Sequence, residues 1–564
     1  MDQRGWEQLD VILVTGDAYI DSPHIGVSVI GHVLADVGYR VGIIAQPDIH
    51  SPDDIARLGR PALFWGVSGG SIDSMVANYT ALKKPRRSDD YTPGGRNTRR
   101  PDRAVIVYTN LIKRTFKGTT SEPAAPIVLG GVEASLRRVA HYDAWDDAIR
   151  RSILLDAKAD YLIYGMAEKS VLAFADALRF GKDPRHLRGL CYVEDTPQKG
   201  YLRLPSYERI TGDERSAGAT DAFIEMFHTF YENTDPRSAQ GLMQRYANRY
   251  LIHNPPSPYL TQDELDHVYS LSFERAAHPY YEEQGPIKAL ETIAFAVTSH
   301  RGCYGECNFC AIGVHEGRTV RWRSPESIEK EVRGLTQKPD FKGIIQDLSA
   351  PTVNMYGFEC SRKLHQGPCQ DRRCIYPDIC PSLPVDHSQH LELLRRLRNV
   401  PGVKKVFVSS GLRHDMLLAD DVHGDDYLQE VVANHVSGQL KIAPEHSEDH
   451  VLAAMGKPTA EGLLAFRDQF YQATKRAGLP QFLTYYFIAA HPGCTAEDMH
   501  RLREFAVTEL GLVPEQVQIF TPTPSTYATL MYYTETDPFT HEPIFVEKSF
   551  KGKRRQKRIL TARG

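Results

Sequence analysis

The sequence has no uninterrupted run of about twenty apolar residues, the length that a helix needs to cross a bilayer, so we expect no transmembrane span. Residues 1–6 lead into a short apolar segment that lacks the small-residue cleavage site of a secretory signal peptide. Acidic and basic residues nearly balance, with a formal net charge of −4, which excludes a chain coated in positive charge but permits local basic patches. We therefore predict a cytoplasmic protein with no membrane partner.

The chain does contain nine cysteines, which are unevenly distributed. In a reducing cytoplasm, cysteines act as ligands, nucleophiles or core residues more often than as disulfides. Seven of the nine form two groups, Cys303, Cys307 and Cys310 in the first cysteine group and Cys360, Cys369, Cys374 and Cys380 in the second. This clustering predicts metal-binding chemistry in the middle of the chain.

Apolar strands alternate with helical patterns along most of the chain, which predicts an α/β protein, and 564 residues are enough for two or three domains. In the first part, residues 1–185, five apolar runs predict a Rossmann-like, doubly wound parallel sheet: 10–15, 39–44, 62–67, 127–130 and 161–165. Residues 186–290 have a mixed pattern with proline-rich pieces, and we interpret them as a connector region with some helices.

A second alternating series occupies residues 291–535 and predicts a partial β/α barrel, in which chemistry is expected at the carboxyl ends of the strands. Six strands are predicted there: 292–297, 343–348, 405–409, 439–443, 482–488 and 517–520. A Cys-rich insertion, 355–385, interrupts the series, and a basic C-terminal tail, 536–564, follows it.

The first cysteine group follows the first barrel strand, and its three cysteines lie within eight residues of sequence. One short loop can therefore direct all three sulfurs to the same point. Gly302 and Gly305 permit the tight bends that such a loop needs. Thiolates are the usual ligands of iron–sulfur clusters, and three of them leave one iron of a cubane open. A zinc site completed by His300 or His315 is the alternative, although zinc sites usually show paired CxxC units.

The spacing CxxxCxxC, with the aromatic Phe309 before the last cysteine, resembles the signature of the radical S-adenosylmethionine (SAM) superfamily. The resemblance implies that the first cysteine group holds one [4Fe–4S] cluster whose open iron chelates SAM. It also implies reductive cleavage of SAM to a 5′-deoxyadenosyl radical, which abstracts hydrogen from a substrate that the sequence does not identify. A flavodoxin or ferredoxin would supply the electron.

Further segments look like those of the YgiQ-type radical SAM proteins, and the likeness runs along nearly the whole chain. These segments are 130–138, 376–381, 443–446 and 531–534. The N-terminal part resembles the cobalamin-binding-like fold that precedes many radical SAM barrels. However, Asp21 and His24 are three residues apart, so the DxHxxG motif of base-off cobalamin binding is not met.

The radical SAM resemblance also implies SAM contacts at the ends of barrel strands. Asp347 or Ser349 would accept a hydrogen bond from the SAM amino group, and a polar turn at the strand end is the alternative for both. Arg413 would bind the SAM carboxylate bidentately. Glu445 would contact the ribose hydroxyls.

The second cysteine group lies in a loop with little apolar material, so a bound metal could supply the free energy that orders it. A four-thiolate zinc site and an auxiliary iron–sulfur cluster both fit the number of ligands. Free or redox-active thiols are the alternative, because the spacing is irregular and contains no CxxC turn.

The tail is strongly basic, with no acidic residue between 548 and 563. Such a run can lie along an RNA backbone, or it can be a solvated helix or a frayed end. Two function classes therefore compete. One is a radical SAM enzyme that modifies RNA, a protein or a small molecule. The other is a non-catalytic metal-binding protein that contacts RNA through the tail and the basic loop 83–103.

Overall fold

The computed structural model describes residues 1–118, 124–212 and 217–562, and it divides into two compact units. Unit 1 comprises Met1–Leu260 and His267–Ala294, and unit 2 comprises Thr261–Asp266 and Phe295–Gly564. Among the described residues, no helix is both long enough and apolar enough to cross a membrane.

Unit 1 contains thirteen strands among its described residues. They are β1 Val11–Thr15, β2 Ile20–Asp21, β3 Val41–Ala45, β4 Phe64–Ser68, β5 Ile127–Gly130, β6 His141–Asp143, β7 Ala148–Arg150, β8 Tyr161–Ile163, β9 Leu190–Glu194, β10 Leu202–Leu204, β11 Leu242–Tyr246, β12 Arg249–His253 and β13 Ala276–Ala277. Its helices are α1 Gly26–Asp36, α2 Asp53–Ala56, α3 Ser74–Asn78, α4 Ala104–Thr115, α5 Gly131–Leu136, α6 Ile153–Ala157, α7 Glu168–Arg179, α8 Tyr207–Thr211, α9 Ala217–Glu232, α10 Gln262–Ser270 (shared with unit 2) and α11 Leu290–Ile293.

Nine of these strands form one sheet, in the order β10-β11-β12-β9-β8-β5-β4-β1-β3. The five strands from β8 to β3 are parallel, with helices between them in sequence, as the apolar runs predict for a doubly wound sheet. β1 is buried along its whole length, because an inner strand of such a sheet is covered on both faces.

The mixed pattern of residues 186–290 suggested a connector region, but the segment does not have that role. Instead it extends the same sheet: β9 pairs antiparallel with β8, and β12 pairs antiparallel with both β9 and β11. Unit 1 therefore continues past the expected boundary at residue 185. The hairpin between β11 and β12 turns at Ala247, whose φ of 53° is left-handed.

Unit 2 contains the strands β14 Ala296–Thr298, β15 His300–Arg301, β16 Arg321–Trp322, β17 Ile344–Ile345, β18 Asp347–Ser349, β19 Lys405–Val406, β20 Gln439–Glu445, β21 Phe482–Ala489 and β22 Val517–Ile519. Its helices are α12 Ile312–His315, α13 Pro325–Leu335, α14 Ser361–Gln366, α15 Ser388–Arg398, α16 His414–Leu418, α17 Gly424–Glu430, α18 Asp449–Met455, α19 Glu461–Ala477, α20 Ala496–Thr508, α21 Tyr527–Thr534 and α22 Phe550–Thr561, with a π-helical turn at Val431–His435.

The main strands of unit 2 run parallel in sequence order. β14 pairs with β18, β17 with β19, and β20 with β21, which pairs with β22. A parallel bridge between Leu412 and Ile442 joins the segment after β19 to β20. This succession has the order of a partial β/α barrel and agrees with the six predicted strands. The first strand begins later than predicted, because Leu290–Ile293 forms α11.

Within the basic tail, Phe550–Thr561 forms the helix α22. α22 buries Lys553, Gln556 and Leu560, whose spacing of three and four residues places them on one helix face. Gln556 accepts a hydrogen bond from the backbone N–H of Ala490 and donates one to the carbonyl of Cys494. Arg563 lies outside the described residues.

Candidate functional site

The first cysteine group lies in one loop of unit 2 that follows β15 and ends at α12. At the start of the loop, Gly302 has a φ of +83°, and a Cβ there would lie 2.5 Å from the carbonyl oxygen of Thr319. Only glycine fits both the left-handed backbone and this close approach. The chain therefore enters the loop through a turn that a side chain would distort.

The sulfurs of Cys303 and Cys307 both lie close to Gly305. A Cβ on Gly305 would be 3.2 Å from the first sulfur and 3.5 Å from the second, and its backbone N–H donates to the Cys303 sulfur over 3.3 Å. Burial raises the pKa of the Cys303 thiol and also that of the Cys310 thiol. Without a metal these thiols would stay protonated, and a bound metal would hold them as thiolates.

Asn308, between the second and third cysteines, fixes the loop to distant parts of unit 2. Its backbone N–H donates to the carbonyl of Met455, and its side-chain amide donates to that of Ala454. Its own carbonyl accepts from the N–H of Ala528, and its side-chain oxygen accepts from Arg373. The loop is thus held by four hydrogen bonds at one residue.

The surroundings of the loop disfavour the zinc alternative. Both ring nitrogens of His300 are engaged, one with the Ser299 hydroxyl at 2.9 Å and one with the Thr352 carbonyl at 3.0 Å. A tetrahedral zinc ion with Zn–S bonds of about 2.3 Å needs sulfurs about 4 Å apart. Among the described residues, the three cysteines do not form a group whose ligand atoms all lie within 4.8 Å of one another.

A cavity of about 180 Å³, partly continuous with solvent, adjoins the three cysteines. The residues that line it come from the cysteine loop and from the segments after the barrel strands: Cys303, Gly305, Cys307, Phe309, Cys310, Ile312, Pro351, Thr352, Gly411, Leu412, Arg413, His414, Ala443, Pro444, Glu445, His446, Leu452, Lys457, Pro458, Thr459, Ala460 and Leu463. The site therefore lies where a barrel places its chemistry.

Arg413 and Glu445, two of the four predicted SAM contacts, line this cavity. The guanidinium of Arg413 binds Asp415 through Nε at 2.8 Å and also through Nη2, and its Nη1 lies 3.8 Å from the Cys307 sulfur. Glu445 has a left-handed φ of +72° at a register shift in β20 and lies 3.7 Å from the Lys457 ammonium. Burial raises the pKa of Glu445, against the opposing effect of Lys457.

Asp347 and Ser349, the other two predicted SAM contacts, are not among the residues that line the cavity. The Asp347 carboxylate accepts hydrogen bonds from the backbone N–H groups of Ser409 and Ser410, at 2.7 and 3.1 Å, and from the Ser410 hydroxyl at 2.5 Å. The Ser349 hydroxyl donates to the carbonyl of Val297. Both side chains thus form hydrogen bonds with neighbouring segments of unit 2. The alternative of a polar turn at the strand end predicts such contacts.

Thr352, His446 and Lys457 line the cavity but were not selected from the sequence. The Thr352 hydroxyl lies 3.7 Å from the Cys303 sulfur, and the Lys457 ammonium donates to the carbonyl of Ala443. Burial lowers the pKa of His446 to about 3, so its ring is neutral. Glu445 and Lys457 lie close together in the sequence, on either side of α18. This spacing could have indicated that the two side chains form an ion pair.

The second cysteine group lies in the insertion 355–385, and three of its four sulfurs have a basic side chain within hydrogen-bonding distance. Arg362 donates to Cys369, the Lys363 ammonium lies 3.6 Å from Cys374, and Arg372 lies 3.6 Å from Cys380. Burial raises the pKa of Cys374 to about 11. Although burial opposes it, hydrogen bonds from Ser382 and Arg372 hold the pKa of Cys380 below its usual value.

In unit 1, the carboxyl ends of the parallel strands are closed by the protein's own charged groups. Asp17, after β1, pairs at 2.5 Å with the buried Arg100, which comes from the basic loop 83–103. Asp73, after β4, pairs with Arg137. Asp21 is the aspartate that was compared with the DxHxxG motif, and its carboxylate binds the ring of His32 at 2.7 Å.

The sequence matches the family described as Radical SAM N-terminal over residues 1–296, just over half of the chain. The class of protein is therefore a radical SAM enzyme, and the non-catalytic alternative is not favoured. Curated relatives specify the family further. A UPF0313 protein of Fusobacterium nucleatum is 53% identical over 561 residues, covering 100% of this chain and 97% of the relative. A UPF0313 protein of Thermotoga maritima is 48% identical, covering 99% and 96%. The chain belongs to the UPF0313 family, which confirms the YgiQ-type resemblance.

Solved structures support the fold. The chain is similar, with a TM-score of 0.50 and 13% identity, to the radical SAM methyltransferase TsrM from Kitasatospora setae, covering 91% of this chain and 75% of that one. It is similar, with a TM-score of 0.51 and 13% identity, to the cobalamin-dependent SAM radical enzyme OxsB, covering 95% of this chain and 57% of that one. At this identity the likeness concerns architecture alone.

Proposed function

We propose that the first cysteine group holds one [4Fe–4S] cluster and that the adjoining cavity binds SAM, so that the chain acts on a substrate not yet assigned. The observation that carries this proposal is the convergence of three thiols from one loop on a cavity that also contains Arg413 and Glu445. Three sulfur donors with no fourth cysteine in the cavity suit a cluster that keeps one iron open.

When bound, the cluster and SAM together supply one-electron reductive cleavage of the SAM sulfonium. The protein's own residues position and shield these groups. The Gly305 N–H and the Thr352 hydroxyl approach the Cys303 sulfur, and Arg413 approaches that of Cys307. Such contacts lower the electron density on the sulfurs and so favour the reduced state. The apolar side chains that line the cavity exclude water.

We further propose that Arg413 and Glu445 contact SAM. Arg413 is always charged and is already oriented by Asp415, so it can meet a carboxylate at little cost in conformational entropy. Glu445 is a buried acceptor at the end of β20, suited to ribose hydroxyls. The predicted roles of Asp347 and Ser349 are not carried into this proposal, because their side chains are directed elsewhere.

The test is anaerobic reconstitution with iron and sulfide, followed by EPR spectroscopy after dithionite reduction and by an assay for 5′-deoxyadenosine. Alanine at Cys303, Cys307 or Cys310 should abolish the cluster signal and SAM cleavage together. The matched control is Cys191→Ala, because Cys191 is a buried thiol of unit 1. A cysteine variant of the loop that keeps both signals would contradict the proposal, and so would zinc in place of iron.

For the second cysteine group we propose a second metal centre, an auxiliary iron–sulfur cluster in preference to four-thiolate zinc, because among the described residues these sulfurs also form no group whose ligand atoms all lie within 4.8 Å of one another. A neutral thiol is a weak hydrogen-bond acceptor, whereas a thiolate is a strong one. Three basic side chains directed at three sulfurs therefore suit thiolates, and a metal is the partner that keeps several thiolates together.

Metal analysis of two variants tests this second centre. The triple variant Cys303→Ala/Cys307→Ala/Cys310→Ala should retain zinc or iron on each chain, and further replacement of Cys374 and Cys380 by alanine should remove it. A triple variant without metal after reconstitution would show that the second group consists of free thiols. The identity of the retained metal distinguishes the two forms of the proposal.

We also propose a small one-electron donor, such as a flavodoxin or ferredoxin, as the redox partner. All nine cysteines are unpaired in the structure, which supports a reducing, cytoplasmic compartment. Both proposals are tested by reduction of the reconstituted cluster with each donor and by localisation of the tagged protein. RNA, a protein and a small molecule remain the predicted substrate classes.

A further inference from the structure

We propose that α22 and two phenylalanines beside it form a docking surface for single-stranded RNA. The proposal names a substrate class for the enzyme, and in that respect it rests on the proposed function. The surface lies within unit 2 and is built from the basic stripe, defined as Lys551, Arg554, Arg555 and Arg558, together with Phe545 and Phe550.

The basic stripe is held in a fixed position. Lys553, Gln556 and Leu560 bury the opposite face of α22, and the ammonium of Lys553 donates to the Tyr532 hydroxyl at 2.8 Å. At 100° per residue, the four stripe residues then face solvent in one line, and all four are exposed. The line from Lys551 to Arg558 is about 10 Å long at 1.5 Å per residue. The protein therefore presents an ordered row of cations.

The stripe has no internal charge compensation. Within the described part of the chain, none of its four side chains forms an ion pair or a side-chain hydrogen bond. Like charges three and four residues apart destabilise a helix, so this arrangement has a cost in the free protein. A polyanion that neutralises the row would remove that cost.

Two exposed aromatic residues lie near the stripe in sequence, one at the start of α22 and one in the segment before it. Phe545 is 48% exposed and Phe550, the first residue of α22, is 43% exposed. Proteins that bind single strands combine basic surfaces with aromatic side chains on which bases stack, whereas a duplex hides its base faces. An anionic membrane is the less suitable occupant, because the apolar face of α22 is buried in the protein and cannot enter lipid.

The surface is connected to the cysteine cavity by one short loop, 490–494. Gln556 binds the backbone of this loop at Ala490 and Cys494, and the N–H of Gly493 donates to the carbonyl of Phe545 at 2.7 Å. From the other side, the Cys494 sulfur lies 3.5 Å from Nε2 of His446, which lines the cavity. The buried face of α22 is thus linked through this loop to a residue that lines the cavity.

The first test measures binding of a labelled single-stranded RNA to the intact protein at several salt concentrations. The stripe variant Lys551→Gln/Arg554→Gln/Arg555→Gln/Arg558→Gln should bind at least about tenfold more weakly. Its slope of log affinity against log salt should fall by about 3, or about 0.7 for each lost phosphate contact. The control variant removes four other exposed lysines of unit 2, Lys330→Gln/Lys342→Gln/Lys404→Gln/Lys475→Gln, and should change affinity by less than about twofold.

The second test separates stacking from charge. Phe545→Ala/Phe550→Ala should weaken RNA binding at least about fivefold and leave the salt slope unchanged. The control Phe180→Ala/Phe482→Ala removes two rings of similar or greater exposure and should have no effect. Equal losses in both controls would overturn the proposal, as would a wild-type protein that binds no RNA, or that binds single-stranded DNA or anionic vesicles more tightly than RNA.

Iron content and 5′-deoxyadenosine formation, measured on the same variants, keep the two proposals apart. The stripe and phenylalanine variants should retain both, because these residues lie outside the cavity. Wild-type protein that binds RNA through the stripe but cleaves no SAM would contradict the proposed function and leave the docking surface standing.

Discussion

Arg413 directs one guanidinium nitrogen at the sulfur of Cys307, 3.8 Å away, while Asp415 holds the rest of the same guanidinium. Because Arg413 both lines the cavity and contacts Cys307, this buried ion pair joins the cavity wall to the cysteine loop. Burial is the largest influence on Arg413 and acts to lower its pKa, but the adjacent carboxylate keeps that pKa raised overall. The same contact lowers the pKa of Asp415 despite its burial. Both shifts favour the charged forms of the two groups at neutral pH.

Breaking this pair should destabilise unit 2. In Arg413→Gln the buried Asp415 carboxylate loses its cation, and we expect a loss of about 3 kcal/mol in the free energy of unfolding. The double variant Arg413→Gln/Asp415→Asn should regain most of that loss, because no isolated charge remains. Urea unfolding of the single and double variants measures this coupling. Both variants should bind SAM at least about tenfold more weakly, and additive losses of stability would contradict the prediction.

Gly302→Ala should deform the cysteine loop. The added Cβ would meet the Thr319 carbonyl at 2.5 Å in a left-handed backbone, so we expect a cost of about 2 kcal/mol or more and a lower iron content after reconstitution. Gly334→Ala is the control, because this exposed glycine of α13 has open space around it and alanine there should stabilise the helix by up to about 1 kcal/mol. Equal iron content in the two variants would refute the prediction.

Glu430 should contribute to stability at neutral pH and lose its contribution in acid. A hydrogen bond from His435, supported by Arg395 and Arg398, lowers the pKa of Glu430 from 4.5 to about 2. A lowered folded-state pKa stabilises the protein above pH 4.5, and this stabilisation is lost as pH falls towards 2. The contribution is at most about 3 kcal/mol. Denaturant unfolding between pH 6 and 3 should show a shallower decline for Glu430→Gln, and parallel curves would contradict it.

Removal of metal should expose Cys380 to alkylation. Its lowered pKa and partial exposure favour ionisation of the Cys380 thiol, in contrast to that of Cys374. Chelator-treated protein should therefore react with iodoacetamide at Cys380 before Cys374, whose pKa burial raises to about 11. Peptide mapping by mass spectrometry measures both sites. The buried Cys191 serves as the unreactive control, and equal labelling of Cys380 with and without chelator would argue against a bound metal.

Much of the fold could be predicted from periodicity, because buried parallel strands are short apolar runs. The segment 186–290 was misjudged because β9, β12 and β11 extend the sheet in antiparallel order and mix polar with apolar residues, as in Leu242–Tyr246. The residues between β11 and β12 could have indicated a hairpin, since Asn248 follows Ala247 at the left-handed turn there.

The candidate site was predictable where chemistry depends on local spacing. The three cysteines lie within eight residues, so their convergence follows from the chain itself. Arg413 and Glu445 line the cavity because strand ends meet there, and their contact with SAM stays a prediction. Asp347, by contrast, does not line the cavity. The backbone N–H groups of Ser409 and Ser410 need an acceptor, and Asp347 is the side chain within reach. Such competition depends on packing between segments and leaves no mark in a single sequence.

The hydrogen bonds of Asn308 have a consequence for biogenesis. Two of its partners, Ala454 and Met455, and a third, Ala528, are synthesised long after the cysteines themselves. Until the ribosome has delivered these residues, the thiols have no fixed arrangement to offer an incoming metal. Under the proposed function, we expect uptake of a cluster by this loop only after most of the chain, including Ala528, has been synthesised.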